Sequence, residues 1–183
     1  MQYIFSSILS LKNYFFKRNY DIPMIGCEES GKTSLINKLR IETGQTPLPP
    51  HIGITYSVNY KKLQIIEKDY YLFQKEFPQH FPIIWKHLRE NFDALILVLD
   101  STEKESIQDS CEFFWEYIIK SNRKFPVLIL ANKQDIKEAL SLDDINFIFN
   151  LKDLKDRPIK IIGTSAINAD EMIKGFDWLD NLL

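Results

Sequence analysis

Short, almost unbroken apolar runs punctuate the chain: "ALILVL" at 94–99, "VLIL" at 127–130 and "IKII" at 159–162. Runs of this length between polar loops predict strands buried on both faces, as in a parallel sheet. Met24 to Gly26 ends another such run, and "ITYSVNY" and "YYLF" read as strand-like on either side of a polar stretch, "KKLQIIEKD". Elsewhere the period changes. Ile107, Cys111, Phe114 and Ile118 recur every three or four residues, as do Met172, Phe176, Leu179 and Leu183. That spacing sets each group on one helix face, where it predicts core contacts. Strands alternating with helices predict an α/β layered fold with a mainly parallel sheet. Pro23 cannot donate to a ladder, so it is expected where strand pairing has not begun or is bulged. Three prolines in "TGQTPLPPHIG", 43–53, predict a loop.

Size and charge narrow the field. A chain of 183 residues with 45% apolar content supports one buried core and is too short to expect two. With 23 basic and 25 acidic residues it has no basic field for nucleic acid, which is excluded as an expected partner. Cys27 and Cys111 have no metal or redox spacing and suit a reducing compartment. No apolar run approaches the ~18 residues of a membrane span.

Candidate chemistry begins at "MIGCEESGKTSL", 24–35, where an apolar strand end precedes Gly26, four residues, then Gly31, Lys32, Thr33 and a helix-like run. This order suits a phosphate-binding loop. The glycines permit close backbone approach, successive N–H groups and the helix N-terminus supply positive charge, lysine reaches the terminal phosphates and the hydroxyl binds Mg²⁺. The candidate phosphate set is Gly26, Glu29, Ser30, Gly31, Lys32, Thr33 and Ser34, with Thr33 as metal ligand.

Two later loops, Ala131-Asn132-Lys133-Gln134-Asp135 and Gly163-Thr164-Ser165-Ala166, follow the carboxyl ends of predicted strands, where open α/β sheets place ligands. Asn132, Lys133 and Asp135 make sense as a base-binding set. A carboxylate at Asp135 accepts two hydrogen bonds from the N–H edge of guanine, whereas adenine would set an acceptor against it. Lys133 can lie along the base plane, and the Ser165-Ala166 backbone can meet the guanine carbonyl. GTP or GDP, with Mg²⁺, is the expected cofactor.

These motifs resemble the small GTPases, and among them the Arf and Arf-like family. "FPVLILANKQDIKEAL" and "GTSAINADEMIKGFDWLDNLL" resemble the family's base-binding loops and last helix, and "PHIG", 50–53, its switch I. "IWKHLRENFDALILVLDS", 84–101, is similar to the helix and strand after switch II, with Trp85 and His87 in matching places. The resemblance implies the small-GTPase P-loop fold: a mainly parallel six-stranded sheet with helices on both faces, here residues 20–183, preceded by an N-terminal amphipathic helix over 1–19. An acidic residue in the loop at Glu28 is also a family trait, although Glu29 adds a second negative charge near the phosphates.

The departures concern hydrolysis. His51 stands where the family has the switch I threonine that binds Mg²⁺ and senses the γ-phosphate, and imidazole suits that hard cation poorly. Counted back without gaps from Trp85, the family's Asp-x-x-Gly-Gln falls on Gln74, Lys75, Glu76, Phe77 and Pro78. No glycine lies between Gly53 and Gly163. Gln79, without a preceding glycine, is expected to be a solvated loop residue. No catalytic residue is therefore assigned, and Thr33 is expected to be the only protein ligand to a weakened metal site. The expected function is a guanine-nucleotide-binding adapter or assembly subunit with degenerate switches. A cycling GTPase of membrane traffic, completed by a partner in trans, is the alternative, and a chain that has lost nucleotide is a third.

In "MQYIFSSILSLKNYFFKRNY", Ile4, Ile8, Leu11 and Phe15 share a helical face, and Lys12, Lys17 and Arg18 are the only charges before Asp21. Such a segment suits a membrane interface or a partner's groove. Residue 2 is Gln, so the family's myristoyl group is not expected. Protein partners are expected on this helix and on the switch and interswitch surface around Ile54, Phe73 and Trp85. The expected location is cytoplasmic, with peripheral membrane contact compatible. Because the segment lacks acids, a mitochondrial address is the alternative.

Overall fold

Strand β1 (Tyr20–Gly26) forms the middle of the sheet because its residues from Ile22 to Gly26 are buried on both faces. Around it lie β2 (Ser57–Tyr60), β3 (Leu63–Glu67), β4 (Leu95–Asp100), β5 (Val127–Asn132) and β6 (Ile159–Gly163), in the order β2-β3-β1-β4-β5-β6. The β2-β3 pair is antiparallel and the other neighbours are parallel. The computed structural model describes residues 19–48, 56–68 and 70–183, without the side chains of 71–73. The expected N-terminal helix, His51 and Ile54 lie outside the described residues, as does the side chain of Phe73.

Among the described residues six α-helices accompany the strands: α1 (Lys32–Glu42), α2 (Tyr70–Glu76), α3 (Phe81–Arg89), α4 (Lys104–Phe113), α5 (Leu142–Phe149) and α6 (Asp170–Leu182). Helix α4 runs on into a π-helical turn, Phe114–Ile119. Alternate strand residues feed two cores. Ile25, Leu97 and Ile129 meet Trp85, Phe113, Phe114 and Phe149 on one face, while Met24, Val98 and Leu130 meet Leu35, Leu39, Met172 and Phe176 on the other. The expected sheet with helices on both faces is thus present, and the two predicted helical stripes are largely core. Cys111 is only half-buried, with its thiol donating to Ile148 O at 3.4 Å.

The interval between β2 and α3 differs from expectation. "YYLF" is helical, forming the start of α2, and the strand falls within the stretch read as polar. Leu63, Ile65 and Glu67 alternate inward, and this five-residue strand finds partners on both sides, β2 and β1. Pairing on two edges outweighs the weak local signal. The aromatic run is instead anchored by Tyr70, whose ring meets Trp85 edge-on at 5.4 Å and stacks on Phe92 at 6.3 Å.

Pro23 lies where pairing has not begun, on one side only. Tyr20 N donates to Lys62 O and Met24 O accepts from Lys68 N, so the even positions of β1 face β3. Pro23 then faces β4, whose register starts at Met24 opposite Ile96. At the outer edge the β2-β3 turn is tied to α6: Asp177 accepts from Tyr60 Oη at 2.5 Å and Lys61 Nζ at 2.6 Å. Partial burial and the neighbouring Asp177 carboxylate push the Tyr60 phenol up to about 12.

Candidate functional site

The sheet order reverses at β1, since β3 lies on one side and β4 on the other, and the carboxyl end of such a switch point is where a ligand fits. Gly26 ends β1 there so close to β4 that a Cβ would lie 2.3 Å from Val98 O. Glu29 at φ 58° and Gly31 at φ 92° turn the chain into α1. At Gly31 a Cβ would also lie 2.3 Å from Asn132 Nδ2, so glycine is required twice over. No side chain caps α1, which leaves its first N–H groups facing a cavity of about 360 Å³. Lys32, Thr33, Ser34 and Glu29 line it. Lys32 is 5% exposed, and its ammonium donates to Gly26 O and Cys27 O, both at 3.0 Å, spanning the loop from within.

Thr33 does not stand alone. Its hydroxyl donates to the Glu67 carboxylate, 2.8 Å from Oε1 and 3.0 Å from Oε2. The ungapped count from Trp85 therefore fails: Gln74 lies in α2, and the acid that meets the loop is Glu67 at the end of β3. The register of β3 with β1 delivers it, Glu67 lying opposite Met24. Seven cavity residues include the acids Glu28, Glu29 and Glu67 against the single cation Lys32. The Thr33 hydroxyl hydrogen points to Glu67, which leaves oxygen lone pairs for a hard cation, so hydroxyl, carboxylate and uncapped amides fit a metal–phosphate group. No cluster of three or more His, Cys, Asp or Glu able to hold a metal occurs among the described residues.

The second half of the site follows β5 and β6. Asn132 is 2% exposed and works as a tie: its Nδ2 donates to Ser30 O at 2.9 Å, and its Oδ1 accepts from Thr164 Oγ1 at 3.3 Å. It thus joins the phosphate loop to the 163–166 loop. Asp135 and Ser165 meet across those loops, Ser165 Oγ donating to Asp135 Oδ1 at 2.6 Å. Asp135 and Ala166 are exposed, open to an incoming ring. Lys133, at φ 66°, donates to Asp100 Oδ2 at 2.5 Å. Burial raises the Asp100 pKa, but bonds from Lys133 and Thr102 outweigh it and hold the carboxyl below its ordinary value. Asp100 and Glu67 carry no sequence motif of their own. Thr164 lies within the Gly163–Ala166 loop but is not itself singled out, Asp100 is signalled only by following the predicted strand 94–99, and Glu67 by its alternation with Leu63 and Ile65.

Trp85 is not part of a surface. It is 1% exposed, surrounded by Phe81, Phe92 and Phe113, and its Nε1 donates to Tyr117 O at 2.8 Å. An aromatic with its one polar atom satisfied is a core residue. The exposed apolar residues of this region are Phe77, Ile83 and Ile84, at 46%, 63% and 36%. Gln79 lies exposed in the turn between α2 and α3.

A phosphate loop at the switch point of such a sheet, with a carboxylate-bearing loop beside it, defines a P-loop guanine-nucleotide-binding domain. The chain belongs to the ADP-ribosylation factor family, whose model matches residues 5–183. It is similar to ADP-ribosylation factor K of Dictyostelium discoideum, at 34% identity covering 98% of this chain and 92% of that one. ADP-ribosylation factor J of the same organism is 33% identical with the same coverage. ADP-ribosylation factor-like protein 6 of Danio rerio is 25% identical over 90% of this chain and 89% of its own. The protein is thus an Arf-family GTP-binding protein, a small GTPase by family, and members bind guanine nucleotide with Mg²⁺. Among the described residues no helix is long and apolar enough to cross a membrane.

Proposed function

We propose that this protein holds a guanine nucleotide without appreciable hydrolysis and serves as an adapter or subunit of a larger assembly. The observation that carries the reading is Tyr70. Set from Glu67, the family's Asp-x-x-Gly-Gln spacing places Tyr70 at the glycine and Tyr71 at the glutamine. Tyr70 begins α2 and its ring is fixed against Trp85 and Phe92. A glycine there would bring its backbone N–H to the γ-phosphate, and the glutamine would orient water. A helix anchored in the core does neither without leaving its aromatic seat.

On this reading the nucleotide is bound by Lys32, the loop amides, Asp135 and the Ser165-Ala166 backbone. Mg²⁺, when bound, neutralises phosphate charge, and Thr33 held by Glu67 would receive it. A bound nucleotide stabilises the fold by roughly 3 to 4 kcal/mol at 100- to 1,000-fold saturation. Partners would meet the exposed face bearing Phe77, Ile83 and Ile84, with the N-terminal segment or a membrane surface as further contacts.

A ligand that touches both states of a switch equally shifts no equilibrium. Guanine nucleotide should therefore co-purify, and partner capture from extract should be equal within a factor of two or three for protein loaded with GDP or GTP. A tenfold preference for the GTP form would favour the cycling GTPase instead. Glu67 gives a separate expectation. Glu67→Gln weakens the hold on Thr33, so the Mg²⁺ concentration that retains fluorescent GDP should rise about tenfold or more, the usual cost of losing an outer partner of a metal ligand. An unchanged Mg²⁺ requirement would remove Glu67 from the site.

A further inference from the structure

Helices α4 and α5 lie side by side on one face of the sheet, and between them runs an apolar cleft of about 300 Å³. Ile107, Leu140 and Ile148 form its apolar lining, with Lys104 and Asp144 also bordering it. At its edge stands Phe147, 86% exposed. The fold does not need an aromatic there. Ile145 and Phe149 are fully buried, and residue 147 lies about 200° round the helix from Ile145, on the opposite side. Lys104 and Asp144 form no ion pair among the described residues, and Asp144 only accepts a bond from Ser141 Oγ at 2.6 Å.

We infer that this face is a self-complementary interface between two copies of the chain. Knob, cleft and both charges lie in a single patch, the condition for an isologous two-fold contact. A two-fold axis running along the cleft exchanges α4 and α5. Phe147 on α5 then lies over the partner copy's α4 beside its exposed Gln108, and Lys104 at the start of α4 meets the partner copy's Asp144 in the first turn of α5. Each contact occurs twice. The polar cavity at the phosphate loop shares no lining residue with this patch.

Sedimentation velocity on the whole chain, up to roughly 500 µM because small interfaces associate weakly, tests the inference. The weight-average mass should rise toward that of a dimer. Phe147→Ser should weaken association about tenfold or more, as for a central interface aromatic, with an unchanged melting curve because the ring is exposed. Lys104→Glu and Asp144→Lys should each weaken it, and the two together should restore it. Ser141 keeps its bond to the residue 144 amide in these variants, so α5 stays capped. A monomer across the whole range, a dimer indifferent to Phe147→Ser, or a double variant that fails to recover would each overturn the inference.

Discussion

Asp135→Asn should lower affinity for GDP by roughly 10³-fold and raise affinity for xanthosine diphosphate, because guanine and xanthine differ in the group that would meet this side chain. Guanine presents two donors, its ring N–H and exocyclic amine, and a carboxylate accepts both. In the amide one oxygen becomes an NH₂, which sets donor against donor for guanine but matches the carbonyl of xanthine. Ser165 donates to Oδ1 at 2.6 Å, which restrains the carboxylate and leaves Oδ2 without that bond. Ser165→Ala should therefore cost less, about tenfold, without reversing the preference. Competition between labelled GDP and unlabelled ADP, GDP and xanthosine diphosphate measures both effects. Equal affinity of the native protein for ADP and GDP would refute the base assignment.

What could be read from the sequence was what chemistry fixes locally. Gly26 to Thr33 and Asn132 to Asp135 each place their functional atoms within a few consecutive residues, so spacing alone carries the geometry. The strands "ALILVL" and "VLIL" were legible because both of their faces are buried. Glu67 was not, since its contact with Thr33 spans 34 residues and depends on the β1-β3 register. Counting back from Trp85 assumed a fixed interval, but 18 positions separate Trp85 from Glu67 against 11 from Gln74. Trp85 is expected on the switch surface from its matching place in the family resemblance, yet aromatic residues favour cores as well as interfaces. Only packing against Phe81, Phe92 and Phe113 decides between them. Tyr70 is the same lesson in reverse: an apolar run bearing the residue that pins a helix was read as strand.

The second large expected effect, on the proposed reading, is a loss of hydrolysis. Phosphoryl transfer is catalysed almost entirely by positioning and electrostatic stabilisation, so each absent group lowers the rate directly. Lys32, Thr33 and Glu67 would still supply the ground-state hold, so binding is expected to remain. On that reading the water-orienting side chain and the glycine amide have no counterpart among the described residues of the 70–79 interval: Tyr70 is anchored, Gln74 is within α2, and Gln79 is exposed beyond it. On the proposed reading, a protein built in this way would retain GTP and would not time its own release. Single-turnover hydrolysis of γ-labelled GTP bound to the purified full chain, with and without cell extract, tests this most directly. The account predicts a rate at least about tenfold below the ~4 × 10⁻⁴ s⁻¹ of an unaided small GTPase with an intact switch, and no acceleration by extract. Cleavage at or above that rate, or a large acceleration by extract, would contradict it.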